Sequence, residues 1–321
     1  MNRGRNRTAA LDPRHNRWVM NRRTFLRASA TTAAALVSGS LSCCSLNRCR
    51  GGAVRFGIVT DCHYADAEAK GSRFYRRSLD KLAECVDVMN DQHVDFLIEL
   101  GDFKDQDTPP VEERTLAYLE EIEAVFQRFN GPTYHVLGNH DLDSISKEQF
   151  LGRVANTSVD PARSYYSFDL GSMRFIVLDA NYKSDAADYD HGNFNWTDAN
   201  IPPAELAWLQ QTVSDAPGPC IVFIHQLLDG VGSVYVKNGE EVRHILQESK
   251  KVLAVFQGHH HAGSYSFIES IHYYTLKAVV EGPGEEDNSY AIVEADPAGR
   301  ITVTGYRKAV SKRLGPDSDG G

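Results

Sequence analysis

Aspartate, asparagine and histidine recur at five places where an apolar run of this sequence ends. The runs AVRFGIVT (53–60), DFLIEL (95–100) and TYHVLG (133–138) lead into Asp-Cys-His, Gly-Asp-Phe-Lys-Asp and Asn-His-Asp. CIVFIH (220–225) ends in a histidine, and VLAVFQ (252–257) precedes Gly-His-His-His. Side chains of these types ligate divalent metal ions of intermediate hardness. Each motif alone occurs by chance, but five in order at predicted strand ends indicate a metal site.

The apolar runs alternate with segments of helical periodicity. Helices are predicted over residues 76–90, 111–129, 203–213 and 239–249, and a further strand over 173–179. From residue 272 the runs HYYTLKAVVE, SYAIVEA and ITVTGYRK are all typical of strands. This alternation predicts an α/β domain with two packed sheets and helices outside. Ligands of such folds gather beyond the carboxyl ends of the strands, where the polar residues lie.

The N-terminal part of the chain has the layout of an export signal. Asn-Arg-Arg-Thr-Phe-Leu-Arg (21–27) precedes the weakly apolar run ASATTAAALVSGSLS (28–42). Arg22-Arg23 followed by Phe-Leu resembles a twin-arginine (Tat) signal, whose machinery exports folded proteins. Fifteen such residues are too few to span a bilayer, which needs about 20. The resemblance implies export to the periplasm.

Three segments are predicted from these patterns. Residues 1–50 form the signal with a flexible start, 51–310 one domain, and 311–321 a disordered tail. Residues 1–19 have no pattern typical of structure, so Met20 is an alternative start to Met1. Leu41-Ser42-Cys43-Cys44 resembles a lipobox, so Cys43 or Cys44 is a candidate for a lipidated N-terminus. The cysteines after the signal are odd in number and indicate no disulfide framework.

The charge of the chain is unevenly distributed. Residues 1–50 hold 10 of the 34 Lys and Arg residues but 1 of the 43 Asp and Glu residues. The remainder therefore has 24 basic and 42 acidic residues, a net charge of −18. An acidic domain argues against nucleic-acid binding, which uses Lys and Arg to neutralise phosphates. An anionic substrate would need a local source of positive charge.

The order D-x-H, G-D-x-x-D, G-N-H-D, H and G-H-x-H resembles the calcineurin-like metallophosphoesterase superfamily over most of residues 54–262. The resemblance implies a four-layer α/β/β/α sandwich that holds two divalent ions, of Mn, Fe or Zn. The ligands that it implies for one ion are Asp61, His63 and His261. For the other ion they are Asn139, His225 and His259, with Asp102 bridging both.

The same resemblance implies that His140 lies at the reacting phosphate without ligating a metal, and that Asp105 orients it. The chemistry agrees, because two cations about 3.5–4 Å apart can share a carboxylate, generate a hydroxide at neutral pH and neutralise an in-line transition state. They also supply the positive charge that the acidic domain lacks. A histidine beside them suits a proton donor to the leaving group or a phosphoryl oxygen.

The three successive histidines are expected to differ in role. In an extended segment alternate side chains share a face, so His259 and His261 would point together and His260 away. Gly258 would let the backbone approach the metals closely. Cys62 lies between two predicted ligands and is expected to face the core rather than a metal.

A narrower resemblance concerns FGIVTDCHYAD (56–66), GSRFYRRSLDKL (71–82) and GHHHAGSYS (258–266), which are similar to manganese-dependent ADP-ribose/CDP-alcohol diphosphatases. The predicted substrate-binding residues are Arg73, Arg76 and Arg77 for a distal phosphate and Tyr64, Phe74 or Tyr75 for a base. The alternative for this cluster is a solvated helix start with core aromatics. Gln106-Asp107 after Asp105 and Gln226-Leu227 after His225 depart from the common superfamily pattern, so the substrates of phosphoprotein phosphatases do not carry over.

The function predicted for the chain is a dinuclear-metal phosphoesterase that hydrolyses phosphoanhydride or phosphodiester bonds of small nucleotide-like molecules. Its predicted partners are that substrate and the Tat export machinery, and the sequence specifies no oligomeric state. Two alternatives remain open at this point. One is a broad phosphomonoesterase of alkaline-phosphatase type, and the other is a non-catalytic metal-binding protein.

Overall fold

A computed structural model describes residues 11–12, 17–18 and 52–315 of the chain. The chain divides into two units, Met1–Cys49 and Arg50–Gly321. In the first unit β1 (Leu11–Asp12) pairs antiparallel with β2 (Arg17–Trp18), where the sequence analysis expected no structure. The Tat-like and lipobox-like segments lie outside the described residues. All further elements belong to the second unit.

The first sheet of the second unit has three parallel strands followed by three antiparallel ones. The parallel strands are β3 (Val54–Val59), β4 (Phe96–Glu99) and β5 (Thr133–His135). The others are β12 (Ser289–Ala295), β13 (Ile301–Arg307) and β14 (Lys312–Leu314). The strand order is β14-β13-β12-β3-β4-β5, so β3 and β4 lie inside the sheet.

The second sheet also has six strands, in the order β10-β11-β9-β8-β7-β6. Its members are β6 (Tyr166–Leu170), β7 (Met173–Val177), β8 (Cys220–Ile224), β9 (Val252–Gln257), β10 (Ser264–Ile268) and β11 (Ile271–Thr275). Strands β7, β8, β9 and β11 run parallel, and the edge strands β6 and β10 are antiparallel. All five residues of β8 are buried, as expected of a parallel strand covered on both faces.

Helices cover the outer faces of both sheets. They are α1 (Arg77–Asp91), α2 (Glu112–Phe126), α3 (Lys147–Leu151), α4 (Pro203–Ser214) and α5 (Gly239–Ser249). Side chains of α1 and α2 pack with the first sheet in one apolar cluster, and α4 and α5 pack with the second sheet in another. Phenylalanines of both sheets fill the layer between them, and each contributes roughly 1.5–3 kcal/mol on burial. The predicted four-layer α/β/β/α sandwich is confirmed.

Several predicted boundaries differ from the structure. The strand predicted over 133–138 ends at His135, and the one that begins near residue 272 ends at Thr275. After Thr275 the chain leaves the sheet and bonds to the loop after β3, with Val279 N–H donating to Thr60 O. The tail predicted to be disordered from residue 311 is wrong over 312–314, because β14 pairs with β13 there. Among the described residues, no helix has both the length and the apolar composition needed to cross a membrane.

Candidate metal centre

The carboxyl ends of β3, β4, β8 and β9, from both sheets, bring six of the seven predicted ligands to one place. Two groups of closely spaced ligand atoms form there, one of Asp61, His63 and His261 and one of Asp102, His225 and His259. Asp102 Oδ2 lies 3.1 Å from His225 Nε2 and 3.4 Å from His63 Nε2. The predicted bridging carboxylate therefore lies between the two groups.

Several of the clustered atoms are buried without a hydrogen-bond partner in the described part of the chain. They are Asp61 Oδ1, His225 Nε2 and His259 Nε2, and Asn139 Oδ1 in the loop after β5 is a further buried atom of this kind. A buried polar atom that lacks a partner is costly, so such a concentration of them requires a ligand. Carboxylate, amide and imidazole donors suit Mn, Fe or Zn. The residues thus fit two divalent cations, and their individual roles as ligands remain predictions.

The two histidines of the second group have pKa values shifted in opposite directions. Burial opposes protonation of His225, yet Asp102 raises its pKa to about 9. Burial and the neighbouring His225 lower the pKa of His259 to about 3. Burial likewise opposes ionisation of Asp61, but hydrogen bonds to His261 and His63 hold the pKa of that carboxyl well below its usual range. A buried carboxyl that stays ionised is a favourable partner for a cation in this cluster.

The loops that carry the ligands have an unusual backbone. Asp61, His63, Asp102 and His259 have φ angles of 52°, 45°, 55° and 66°, in the left-handed region that side chains rarely adopt. The loop of Asp102 is held by a residue to which the sequence analysis gave no role. The Asp141 carboxylate accepts hydrogen bonds from the N–H groups of Asp102 at 3.0 Å and Gly138 at 2.8 Å. Asp141 thereby ties the β4 loop to the β5 loop.

The side chains of the histidine run are divided as predicted, but the backbone conformation differs from the predicted one. His260 is exposed, whereas His259 and His261 lie in the cluster. The segment is not extended, because His259 is left-handed and His260 N–H donates to Gly258 O at 2.7 Å. The alternation argument is therefore wrong about the backbone. A Cβ at Gly258 would lie 2.2 Å from Thr60 Oγ1, so only glycine allows this close approach.

Three of the clustered histidines have their outer ring nitrogen against an acceptor. His63 Nδ1 lies 3.1 Å from Asp105 Oδ2, and His225 Nδ1 lies 2.8 Å from the Leu100 carbonyl. His261 Nδ1 lies 2.6 Å from Glu281 Oε1, which the sequence analysis missed. A carbonyl or carboxylate acceptor requires N–H at Nδ1, so in the neutral ring it is Nε2 that offers a lone pair to a cation.

His140 lies beside the cluster with 31% of its side chain exposed. Its Nδ1 is 3.3 Å from Asp143 Oδ2 and 3.6 Å from Asp105 Oδ2, so Asp143 is the nearer carboxylate. Burial opposes protonation of His140, but Asp102, Asp105 and Asp143 raise its pKa well above the ordinary value. The sequence offered a signal for Asp143, which lies three residues after His140 in a short 3₁₀ turn.

The predicted substrate-binding residues are not all brought to the cluster. Arg73 is, with its guanidinium 4.0 Å from Asp105 Oδ2. Arg76 forms ion pairs with Asp66 and Glu68 on the surface, and Arg77 with Asp80. Tyr64 is buried with its hydroxyl donating to Glu121 at 2.5 Å, and Tyr75 is buried in the same apolar cluster. Cys62 is buried in that core as predicted.

Trp196 is a residue near the site that sequence reasoning missed. It lies in the loop between β7 and α4, and its ring centroid is 5.7 Å from that of His259 in an edge-to-face arrangement. The residue is 44% exposed, so part of the indole is open to solvent. No spacing in the sequence connects Trp196 with His259, because the contact joins loops 63 residues apart.

Comparisons with known proteins agree with this geometry. The sequence model of the calcineurin-like phosphoesterase family matches residues 54–263. The manganese-dependent ADP-ribose/CDP-alcohol diphosphatase of Oryza sativa subsp. japonica is 28% identical over 280 residues, which cover 71% of this chain and 84% of that protein. The protein of the same name from Arabidopsis thaliana is 29% identical over 275 residues, covering 71% and 86%. A solved dimetal phosphatase from Danio rerio superposes with a TM-score of 0.71 at 19% identity, covering 82% and 99%.

The fold and the clustered ligands define a hydrolase of phosphoric esters or anhydrides that depends on divalent metal ions. The chain belongs to the calcineurin-like phosphoesterase family. The fold class, the enzyme class and the divalent-metal cofactors predicted from the sequence are thereby confirmed. A non-catalytic metal-binding protein is no longer an alternative.

Proposed function

We propose that this enzyme cleaves small nucleotide-like diphosphates, such as ADP-ribose or CDP-alcohols, in preference to simple phosphomonoesters. The names of the two plant relatives support this substrate class. The observation that carries the proposal is a cation and an exposed aromatic ring at the rim, Arg73 beside the first ligand group and Trp196 beside the second. A nucleotide diphosphate needs both kinds of contact beyond the bond that breaks.

Arg73 suits the phosphoryl group that is not attacked. Its side chain is 33% exposed, and its guanidinium reaches toward Asp105 without the close pairing that occupies Arg76 and Arg77. A guanidinium binds phosphate through two parallel hydrogen bonds. Trp196 suits the base, since an exposed indole offers a flat apolar face for stacking. Arg76 and Arg77 are therefore no longer the favoured phosphate ligands.

The reaction depends on the cations for a nucleophilic water and for neutralising phosphoryl charge. His140 supplies a proton from the protein side. Its Nδ1 faces Asp143 and Asp105, which leaves Nε2 to donate to the leaving oxygen. Asp105 fixes both His140 and His63, because one carboxylate oxygen lies within 3.6 Å of both rings. The chain thus aligns the donor with the ligand group through one side chain.

The substrate proposal is tested by kcat/KM for ADP-ribose, a CDP-alcohol and a phosphomonoester such as p-nitrophenyl phosphate. Trp196→Ala is expected to lower kcat/KM for the diphosphates about 5- to 150-fold, the range for loss of one base stack of about 1–3 kcal/mol. Arg73→Ala should act in the same direction, with little change for the monoester, because only remote binding is lost.

Arg76→Ala is the matched control, since that guanidinium is held by Asp66 and Glu68. Its kinetics should equal those of the wild type. A wild-type enzyme that prefers the monoester, with no effect of Trp196→Ala or Arg73→Ala, would favour the alkaline-phosphatase alternative.

We also propose that the Tat machinery exports the folded enzyme to the periplasm, with Cys43 or Cys44 as the site of a lipid anchor. The support is the arrangement of Arg22-Arg23, the short apolar run and the lipobox-like residues. Changing Arg22 and Arg23 to Lys should retain the protein in the cytoplasm in cell fractionation. Cys43→Ala and Cys44→Ala, singly and together, test whether the protein still partitions with membranes. Normal export of the double-lysine variant would contradict the Tat assignment.

A further inference from the structure

We propose that Glu281 is a positioning residue of the metal centre, which fixes the ring of His261 and thereby sets the affinity of one of the two metal sites. The inference rests on the metal assignment made above and adds a residue that the predicted ligand set lacks. Glu281 lies outside the predicted ligand set, and a buried lysine, Lys81, holds its loop in place.

The contact between Glu281 and His261 determines which nitrogen faces the cluster. Glu281 Oε1 lies 2.6 Å from His261 Nδ1. An ionised carboxylate only accepts hydrogen bonds, so the ring carries its proton on Nδ1. The opposite nitrogen, Nε2, lies 3.4 Å from Asp61 Oδ1 and 3.2 Å from His63 Nε2. Its lone pair therefore faces the other members of the first ligand group.

The segment that carries Glu281 lies between the two loops of that group. Ala278 N–H donates to the His261 carbonyl at 3.1 Å, and Val280 N–H donates to the Asp61 carbonyl at 3.1 Å. The main chain thus spaces the two ligand loops, and the side chain of the next residue orients His261.

Lys81 holds this segment through hydrogen bonds to its main chain. The side chain belongs to α1, is 3% exposed, and donates to the carbonyls of Val279 at 2.8 Å, Glu281 at 3.1 Å and Gly282 at 2.8 Å. Burial of an ammonium group is costly unless its donors are satisfied, and here three main-chain carbonyls satisfy them. Lys308 also donates to the Glu281 carbonyl at 2.8 Å. Lys81 and Lys308 together thus hold the main chain at Glu281 in place.

The arrangement makes a site-specific prediction. Glu281 contacts His261, and the second group of Asp102, His225 and His259 has no contact with it in the structure over residues 52–315. Loss of a carboxylate behind a ligating histidine typically weakens metal binding about 10- to 100-fold. The loss should therefore fall on one binding step and leave the other unchanged.

The experiment is a Mn²⁺ titration of the metal-free full chain, followed by the EPR signal of free Mn²⁺ and by calorimetry. Wild type should show two binding steps. Glu281→Ala is expected to weaken one step about 10- to 100-fold. Glu281→Gln should weaken it less, because its amide oxygen still accepts from Nδ1–H without the charge. Lys81→Met, which frees the loop, should weaken the same step.

Glu286→Gln is the matched control, an exposed glutamate in the same loop, and should bind Mn²⁺ as the wild type does. Thermal unfolding of each metal-free variant confirms that it is folded. Two unchanged binding steps in Glu281→Ala would overturn the inference while leaving the metal centre intact. Equal weakening of both steps would overturn it too, because the effect would then be general. A wild-type chain that binds no Mn²⁺ would instead overturn the metal assignment itself.

Discussion

The two ligand groups of this site are held in different ways. The outer nitrogens of His63 and His261 lie against side-chain carboxylates, those of Asp105 and Glu281. In the second group, His225 donates to a main-chain carbonyl, that of Leu100. His261 and Glu281 are partly exposed, with 17% and 22% of their side chains accessible, whereas His225 is fully buried.

The contrast indicates where sequence changes can tune the enzyme. A main-chain acceptor is fixed by the fold, and no substitution at Leu100 removes its carbonyl. Side-chain carboxylates can be altered singly, so the affinity of the first group depends on residues outside the ligand set. We expect the first metal to exchange more readily and the second to remain bound in most variants.

The largest effect is expected where the two groups meet. Asp102→Ala removes the carboxylate whose Oδ2 lies 3.4 Å from His63 Nε2 and 3.1 Å from His225 Nε2, so it should lose more metal than any other single ligand change. Elemental analysis after dialysis measures the number of metals per chain. Two metals retained in this variant would show that the two ligand groups do not share Asp102.

His140→Ala should separate catalysis from metal binding. The residue lies beside both groups, and its loss should lower turnover about 10²–10⁴-fold, the range for a general acid or transition-state donor. Both metals should be retained, as measured by elemental analysis of the same preparation. Asp143→Asn should give a smaller loss of the same kind, because Asp143 is the carboxylate nearest to His140 Nδ1. Unchanged turnover of His140→Ala would exclude it from the mechanism.

Asp105→Asn tests two roles at once, because Asp105 contacts both the first ligand group and the proton donor. The change should lower turnover less than His140→Ala and should also weaken one Mn²⁺ binding step, since His63 loses its charged partner. The second step should be unchanged. A variant that loses turnover with both steps intact would restrict Asp105 to orienting His140.

The smallest effect is expected within the histidine run. His260→Ala should be nearly silent in metal content and turnover, because the side chain is exposed. His259→Ala and His261→Ala should each reduce metal binding, the former in the second group and the latter in the first. Equal damage from all three substitutions would contradict the division of roles in this run.

The sequence predicted residues that the structure brings together, but not the residues that support them. Motifs such as Gly-Asn-His-Asp carry their residues on strand ends, and parallel strands bring those ends together. Glu281 and Trp196 reach the site only through tertiary contacts, which no spacing reveals. Arg76 illustrates the opposite error, because its basic character indicated phosphate binding while its local acidic neighbours determined its contacts.

The left-handed backbone of Asp61, His63, Asp102 and His259 sets folding against activity in this enzyme. Glycine adopts that conformation freely, whereas other residues there cost of order 1–3 kcal/mol each. Mutation without selection for catalysis would tend to replace them with glycine, because marginal stability rewards relief of such strain. Engineers who seek a heat-resistant form can leave these four positions alone and seek their gains in the helices. A scaffold stabilised by replacing these four residues with glycine would lose the side chains that the reaction needs.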